Sequence, residues 1–397
     1  MPDVTAHPAR ALIDLAAIRG NVTALTQRAP GAHVMAVVKA DAYGHGLVPS
    51  ARAAVAGGAT WLGTAQVGEA LALRAAGLDV RILTWLYSPG APLEELLLAD
   101  IDVSVAAPWA LDAVADAART TGRRARVHVK VDTGLGRNGI TPDLLDEVLA
   151  HAVRLQSDGL LSVVGVWSHF AFADEPTHPT VQAQVVVFED AVRAAERHGC
   201  DLEVRHLANS AATLTNPRVH YDLVRPGLAV YGLSPVPQLG SPGDFGLRPA
   251  MTLEARLASV KRVPAGQGVS YTHAYTTPTA TVLGDVPLGY ADGIPRHASG
   301  LQGDPRSPGG PVRVGDGPAA RIVRVAGRVC MDQLMLDLGP DATEEAGDTV
   351  VLFGDERLGV PTAQDWAEAA GTISYEITTR LGARVPRTYL DDEDPRA

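Results

Sequence analysis

An alternation of short apolar runs with amphipathic helical stretches, from residue 34 to about residue 232, constrains the fold most strongly. Helical patterns such as Val67–Ala76, Pro108–Arg119 and Leu144–Leu155 separate the runs, and Pro108 suits the first turn of a helix. The runs are rich in β-branched residues and have the length of buried parallel strands. The predicted strands are Val34–Val38, Trp61–Thr64, Arg81–Trp85, Asp102–Val105, Val127–Val131, Ser162–Trp167, Glu203–Leu207 and Leu228–Tyr231. Eight such βα units with short connections predict a (β/α)8 TIM barrel.

The pattern changes after about residue 240. Proline, glycine and turn residues there divide strands of period two, such as Thr252–Val260, which predicts a mainly antiparallel β domain. Pro235–Gly246 is rich in Pro, Gly and Ser and is typical of a linker. A chain of 397 residues also exceeds the roughly 250 to 300 residues at which single cores stop growing. We therefore expect an α/β barrel at 1–240 and a C-terminal β domain at 241–397.

Composition excludes several classes of partner. The chain has 34 Lys plus Arg against 45 Asp plus Glu, and this net charge of -11 argues against non-specific binding to nucleic acid or an anionic membrane. No apolar run approaches the roughly 18 residues of a membrane span. Two cysteines, Cys200 and Cys330, cannot form a disulfide framework, which favours a reducing, cytoplasmic location. No metal site is predicted.

Lys39 is the first polar side chain after the first predicted strand. Ligands of a barrel bind at the carboxyl ends of its strands, so this lysine stands where chemistry is expected. It fits two interpretations, a strand-end charge that reaches solvent and an amine that forms a Schiff base in a pocket. Gly44 and Gly46 allow a tight turn and close backbone approach, and Tyr43 adds a hydroxyl donor beside them.

Other predicted strands also end in polar residues. Taken singly, His169 fits a structural histidine, Arg225 a salt bridge at the barrel rim and Ser210 a helix N-cap. Taken together, Ser210 after the seventh strand and Gly227–Leu228 beside the eighth suit a phosphate held by backbone N–H groups and a hydroxyl. A lysine on the first strand and a phosphate site at the seventh and eighth predict a pyridoxal 5'-phosphate enzyme.

Ordered motifs along nearly the whole chain resemble those of alanine racemases. They are Ile13–Asn21, Met35–Gly46, Asp132–Gly134, Gly165–Ala171, His206–Ser210, Gly268–Tyr271, Leu288–Arg296, Gly327–Gln333, Tyr375–Glu376 and Arg384–Arg387. The resemblance implies interconversion of L-alanine and D-alanine by a two-base mechanism on a pyridoxal-phosphate aldimine, which supplies D-alanine for peptidoglycan. It also implies a homodimer with shared active sites.

The resemblance assigns roles to individual residues. Lys39 would form the internal aldimine and act as one base, and Tyr271 of the partner chain would act as the other. Because a tyrosine phenol is a weak base at neutral pH, a chain from Tyr271 through His169 to Arg225 would supply the positive field that favours the phenolate. Arg225 would face the pyridine nitrogen. The phosphate would be held by Tyr43, Ser210, Gly227, Leu228 and Tyr375.

The same resemblance implies a substrate pocket. Arg137 and the backbone near Met331 would bind the substrate carboxylate, and Tyr290 with Tyr375 would narrow the entrance in favour of a methyl side chain. Lys130 matches a lysine that is carbamylated in many members of the family, although an ordinary strand-end lysine is the alternative.

Three other functions remain as alternatives. A broader-specificity amino-acid or serine racemase differs only in pocket detail. A decarboxylase on a related barrel would face the ring nitrogen with a carboxylate, where this chain has Arg225. A non-catalytic pyridoxal-phosphate-binding protein would lack the β domain that carries Tyr271.

Overall fold

The computed structural model describes residues 7–390, and the chain forms two compact units. One unit comprises Ala17–Arg248, and the other comprises residues 7–16 together with residues 249–390. The predicted division into 1–240 and 241–397 differs from this at the amino terminus, because strand β1 (Ala9–Asp14) pairs antiparallel with Met251–Arg256. None of the helices within residues 7–390 combines the length and apolar character needed to cross a membrane.

The unit Ala17–Arg248 is a barrel of parallel strands, as predicted. The strands are β2 (His33–Val37), β3 (Trp61–Thr64), β4 (Arg81–Thr84), β5 (Asp102–Val105), β6 (Ala125–Lys130), β7 (Leu161–Trp167), β8 (Val204–His206) and β9 (Leu223–Val224). They lie in the order β8-β7-β6-β5-β4-β3-β2-β9. The backbone N–H of Asp222 donates to the carbonyl of Arg205 at 3.2 Å, which brings the two ends of the sheet together. The side chains of Met35, Leu83 and Leu223 form part of the buried core.

Helices alternate with these strands along the chain. They are α1 (Leu15–Arg28), α2 (Leu47–Ala56), α3 (Val67–Ala75), α4 (Leu93–Leu98), α5 (Pro108–Thr121), α6 (Pro142–Ser157), α7 (Pro179–His198) and α8 (Ser210–Thr215). Short 3-10 turns follow at Pro217–Val219, Leu228–Tyr231 and Gly243–Phe245. Pro108, Pro142 and Pro179 each occupy the first helical position, where the missing N–H costs no hydrogen bond.

The prediction of an eighth strand at Leu228–Tyr231 is wrong. That run is a buried 3-10 helix, and the eighth barrel strand is β9, which pairs with His33 and Val34 of β2. A short apolar run has too few residues for its period to separate strand from helix. Strand β9 ends at Val224. Pro226 lacks a backbone donor and cannot extend the strand, so the apolar run that follows forms a separate turn.

The second unit is mainly antiparallel β, as predicted. Its further strands are β10 (Met251–Arg256), β11 (Ser259–Val263), β12 (Gly268–Val269), β13 (Tyr275–Thr276), β14 (Thr281–Val286), β15 (Pro311–Val314), β16 (Arg321–Arg324), β17 (Leu334–Gly339), β18 (Thr349–Phe353) and β19 (Arg387–Leu390). They form sheets of order β16-β15-β18-β10-β1-β19, β11-β14-β17 and β12-β13. The pair β1 and β19 is parallel. The predicted single strand Thr252–Val260 is divided between β10 and β11.

The same unit contains helices α9 (Ala363–Ala370) and α10 (Ser374–Thr379). Its 3-10 turns are Tyr271–His273, Tyr290–Asp292, Arg296–Ala298, Gly317–Ala319 and Glu356–Leu358. Two of these turns, and α10, carry residues that the sequence predicted for the active site.

Candidate active site

Lys39 follows strand β2 and begins an unusual turn. Lys39–Tyr43 form one helical turn in which Ala40, Asp41, Ala42 and Tyr43 all have positive φ, between 52° and 56°. A left-handed conformation costs a non-glycine residue roughly 1–2 kcal/mol, and such strain concentrates at functional sites. The turn carries the lysine at one end and directs Tyr43 back into the barrel unit.

Two carboxylates hold this left-handed turn. The amide of Ala40 donates to Oε1 of Glu69 at 2.6 Å, and the amide of Leu47 donates to Oδ1 of Asp41 at 2.7 Å. Glu69 also accepts from the amides of Ala65 and Gln66 at the start of α3. Glu69 therefore ties the lysine-bearing turn to the end of the neighbouring strand, a role that the sequence did not predict.

Ser210, Gly227 and Tyr43 lie together. The Ser210 hydroxyl accepts hydrogen bonds from the amides of Gly227, at 2.7 Å, and Ala229, at 3.3 Å. A Cβ atom on Gly227 would lie 2.2 Å from the Tyr43 hydroxyl, so only glycine leaves room for the phenol there. Leu228 begins the 3-10 turn that follows. These residues form a small polar cradle of hydroxyl and backbone N–H groups, and its role in phosphate binding stays a prediction.

Arg225 is buried directly after β9. Its Nη2 donates to the carbonyls of Ser168, at 2.7 Å, and Leu207, at 3.3 Å, and its Nη1 lies 3.3 Å from Nδ1 of His206. The guanidinium also stacks 4.8 Å from the ring centroid of Trp167. Burial lowers the pKa of Arg225 to about 9, so the side chain still carries a positive charge at neutral pH.

Lys130 shares the same aromatic ring. Its Nζ lies 4.4 Å from the ring centroid of Trp167 and donates a hydrogen bond to Oδ1 of Asn138. Burial, with the positive charges of Arg137 and Arg225, lowers the pKa of Lys130 to about 7. Near neutral pH a large fraction of this amine is therefore uncharged.

Positive charge converges on this end of the barrel. Burial lowers the pKa of Lys39 and Arg137 lowers it further, while burial and the charge of Arg225 hold the pKa of His169 well below its ordinary value. Glu69 and Asp132 offset part of this charge, and both also accept hydrogen bonds from backbone amides. The arrangement suits an anionic ligand, with hydroxyl and amide donors at one side and the Lys39 amine, whose pKa is lowered, available to react.

The other predicted residues lie in the second unit. Tyr271 is 70% exposed and its neighbours Ser270 and Thr272 have positive φ, which presents the phenol on a strained turn. The amide of Tyr290 donates to the carbonyl of Cys330 at 3.0 Å, which places Tyr290 beside Met331. The Ser270 hydroxyl donates to the carbonyl of Arg328 at 2.8 Å, so the turn with Tyr271 lies on the same segment. Tyr375 lies in the first turn of α10, partly buried.

Some polar residues of the barrel interior were not predicted. Asp102, His128 and His206 are fully buried on β5, β6 and β8, and the ring of Trp167 stacks on His206 with an interplanar angle of 2°. Their sequence signal was a charged or ionisable residue within an otherwise apolar strand. Arg225 forms its hydrogen bond with His206, whereas the chain from Tyr271 through His169 to Arg225 stays a prediction.

Comparisons with known proteins agree with this architecture. The family model of the alanine racemase N-terminal domain matches residues 13–235, and that of the C-terminal domain matches residues 250–389. The alanine racemase of Beutenbergia cavernae is 60% identical over 388 residues, which are 98% of this chain and 99% of that protein. That of Streptomyces coelicolor is 59% identical over 389 residues, 97% of this chain and 96% of that protein. A crystal structure of alanine racemase from D-cycloserine producing Streptomyces lavendulae has a TM-score of 0.92 at 57% identity and covers 97% of both chains.

The chain has a barrel with a lysine at the end of its first strand, and an antiparallel β domain. Together with these matches, the two features identify an isomerase of the racemase class. The chain belongs to the alanine racemase family. The alternative of a broader amino-acid or serine racemase is not favoured, because relatives and structures at 57% to 60% identity over nearly the full length are alanine racemases.

Proposed function

We propose that this chain interconverts L-alanine and D-alanine with pyridoxal 5'-phosphate bound at the carboxyl end of the barrel. The observation that carries the proposal is the convergence of Lys39, Lys130, Arg137 and Arg225 near the cradle of Ser210 and Gly227. A cluster of basic side chains suits an anionic ligand, and a phosphate with a substrate carboxylate supplies that charge. The uncharged amine that Schiff-base formation requires is favoured by the lowered pKa of Lys39.

The cradle fits the cofactor's phosphate. The Ser210 hydroxyl, the amides of Gly227 and Leu228, and the Tyr43 hydroxyl are donors of the kind that bind phosphate oxygens, and Tyr375 would join them. A glycine is required where the Tyr43 phenol approaches, which is expected of a packed binding site. When bound, pyridoxal phosphate supplies the electron sink that acidifies Cα of the amino acid.

Arg225 would determine the course of the reaction. Arginine offers only donors and gives up a proton reluctantly, so it would hydrogen bond an unprotonated ring nitrogen without protonating it. An arginine that keeps its own proton in this position would favour return of the substrate proton to Cα. We therefore expect racemisation to prevail over transamination.

Lys39 and Tyr271 would be the two bases. Inversion at Cα requires removal of a proton on one face and delivery on the opposite face. Lys39 would serve one face, and Tyr271 of a partner chain the other. The 70% exposure of Tyr271 supports this assignment, since an exposed tyrosine on a strained turn is available to a second subunit.

Three residues would select the substrate. Arg137 and the backbone near Met331 would bind the carboxylate of alanine, and Tyr290 would limit the space for its side chain. Tyr290 and Met331 lie side by side in the second unit, which is consistent with a shared role.

The proposed working unit is a cytoplasmic homodimer with shared active sites that supplies D-alanine for peptidoglycan. Nucleic acid and membrane are not proposed as partners, since the net charge of -11 disfavours both phosphate backbones and anionic lipid surfaces.

Exchange of the Cα proton with solvent tests the function. Purified holoenzyme incubated with L-alanine in D2O should produce D-alanine that carries deuterium at Cα, detected by chiral separation and mass spectrometry. Tyr271→Phe should lose inversion, while Tyr389→Phe, at a second tyrosine that is 39% exposed and lies outside the proposed site, should retain it. Release of CO2, or a pyruvate product without inversion, would contradict the proposal.

A further inference from the structure

A row of buried hydrogen bonds crosses the barrel interior and ends at Arg225. Nε2 of His128 lies 3.1 Å from Oδ2 of Asp102, and Nδ1 of His128 lies 2.9 Å from Nε2 of His206. Nδ1 of His206 in turn lies 3.3 Å from Nη1 of Arg225. The side chains of Asp102, His128 and His206 are shielded from solvent, so each polar atom in the row depends on its neighbour.

The chemistry of the two ends fixes the direction of every hydrogen bond in the row. Arginine has donors only, so Nδ1 of His206 must accept from Arg225. A neutral His206 then carries its proton on Nε2 and donates it to Nδ1 of His128. His128 must therefore carry its own proton on Nε2 and donate it to Asp102, which, as a carboxylate, accepts. An extra proton on either imidazole would set two donors against each other.

Electrostatics agrees with a neutral His206. Burial holds the pKa of His206 well below its ordinary value, and the charge of Arg225 acts in the same direction. Asp102 forms ion pairs with Nε of Arg126 at 3.1 Å and with Nη1 of Arg81 at 3.6 Å. Arg126 in turn binds both oxygens of Glu203 at 2.8 Å. The row therefore runs from an ion-paired acid at one end to a buried guanidinium at the other.

The backbone is shaped to bring these side chains together. The register between β6 and β7 shifts at Val127 and His128, and a bulge of this kind re-aims a side chain. A Cβ atom on Gly165 would lie 2.3 Å from Nδ1 of His128, so only glycine leaves room for the contact with His206. The ring of Trp167 stacks on His206 and its indole N–H donates to Ser104 at 2.9 Å. Several independent features thus serve one polar row in the core.

The row leaves Arg225 with a defined set of free donors. A guanidinium has five N–H groups. Ser168 and Leu207 accept from Nη2, and His206 accepts from Nη1, so Nε and the second Nη1 hydrogen remain for a ligand. We propose that Asp102, His128 and His206 are positioning residues, which hold Arg225 as an oriented hydrogen-bond donor toward the cofactor's ring nitrogen. This inference deepens the proposed function and rests on it for the identity of the ligand.

The positioning role explains why three polar side chains are placed in the core. An arginine side chain has many rotamers, and ordering it costs conformational entropy. Two carbonyl acceptors alone would leave part of this rotational freedom. His206 as an obligate acceptor removes that freedom, and Asp102 at the far end prevents His206 from reversing its role. Networks of this kind are favourable only when every member is satisfied, which holds for this row.

The protonation state of the two histidines gives the first test. Nitrogen NMR of 15N-histidine-labelled holoenzyme should show His128 and His206 as neutral rings protonated at Nε2 from pH 6 to 8. The assignment uses His128→Gln and His206→Gln. An imidazolium, or a ring protonated at Nδ1 in either residue, would overturn the proposal. This result does not depend on racemase activity.

Two variants of His206 give the second test. His206→Gln keeps one acceptor and one donor on a planar group, whereas His206→Leu keeps neither. We expect kcat to fall about 10- to 100-fold in His206→Leu, the loss typical of removing a supporting partner. In His206→Gln we expect kcat to stay close to the wild-type value. The 15N signal of labelled pyridoxal phosphate should shift in His206→Leu and stay near the wild-type position in His206→Gln.

The control and the contrary results are distinct. Glu203→Gln weakens the outer ion pair with Arg126 and should change neither kcat nor the ring-nitrogen signal. An unshifted ring nitrogen in a folded His206→Leu holoenzyme would contradict the positioning role even if activity fell. If His206→Leu does not fold, failure of His206→Gln to keep the wild-type ring-nitrogen signal contradicts it instead. Wild-type protein that does not bind the cofactor would refute the proposed function while leaving the histidine assignment to be judged by its own NMR signals.

Discussion

Lys130 shows how strongly the surroundings of one residue alter its chemistry. Its amine is buried, packs on Trp167 and lies among the positive charges of Arg137, Arg225 and Lys39, which together with burial lower its pKa to about 7. An uncharged amine can attack CO2, forming an N–C bond with release of one proton, and the resulting carbamate is an anion. That product would reduce the excess of positive charge and give Arg137 an anionic neighbour.

Carbamylation of Lys130 should therefore depend on pH in one direction. Because only the neutral amine reacts, holoenzyme in 13C-bicarbonate should gain a protein-bound carbamate signal as pH rises from 6 to 8, with a midpoint set by the pKa of about 7. Carbon NMR measures the signal. Lys130→Met should abolish it, and Lys261→Arg, at the only other lysine besides Lys39, should keep it. A signal that persists in Lys130→Met would contradict the assignment.

At the scale of elements, a strand end and a strained turn position the site. Strand β2 delivers Lys39, and the left-handed turn that follows brings Tyr43 against Gly227. The Tyr43 ring has little room to move away from Gly227, because it is buried and its centroid lies 5.0 Å from that of the Tyr231 ring. The cradle therefore depends on a close approach between two elements that are far apart in sequence.

Gly227→Ala should loosen cofactor binding without unfolding the barrel. The φ of Gly227 is -114°, outside the left-handed region that favours glycine, so the main expected effect of alanine is to displace the Tyr43 phenol. We expect the dissociation constant for pyridoxal phosphate to rise about 10-fold or more, the cost of roughly one charge-assisted hydrogen bond. Titration followed by cofactor absorbance measures the constant. Gly20→Ala in α1, where a Cβ meets nothing, is the control and should bind pyridoxal phosphate as the wild type does. Equal affinity in both variants would contradict the proposed role of Gly227 in cofactor binding.

Local sequence patterns predicted the elements with long periodic signals and missed those set by tertiary contacts. The lysine after an apolar strand was predictable, as was the proximity of Ser210 to Gly227. The left-handed turn was not, since its four positive-φ residues include no glycine. Likewise Asp102 and His128 are recognisable as polar residues in apolar strands, but their pairing depends on a bulge between β6 and β7 that no local pattern marks.

At the scale of the whole molecule, the chain carries its proposed bases in different units. Lys39 lies in the barrel unit, whereas Tyr271 lies exposed in the second unit beside the segment that bears Met331. The family identity is established by matches over nearly the full length. The proposal adds that one active site takes Lys39 from one chain and Tyr271 from another, so that the dimer is the smallest active species.

Complementation between two inactive variants tests whether each active site takes its two bases from different chains. Chains carrying Lys39→Ala and Tyr271→Phe, each with a different affinity tag, are co-expressed, and the mixed dimer is isolated by both tags. One of its two sites then contains both changes and the other contains neither, so racemase activity should recover to about half that of the wild-type dimer. The two parental dimers provide the baseline. Activity of the mixed dimer that stays at this baseline would contradict the account, because it would mean that both bases of each site come from a single chain.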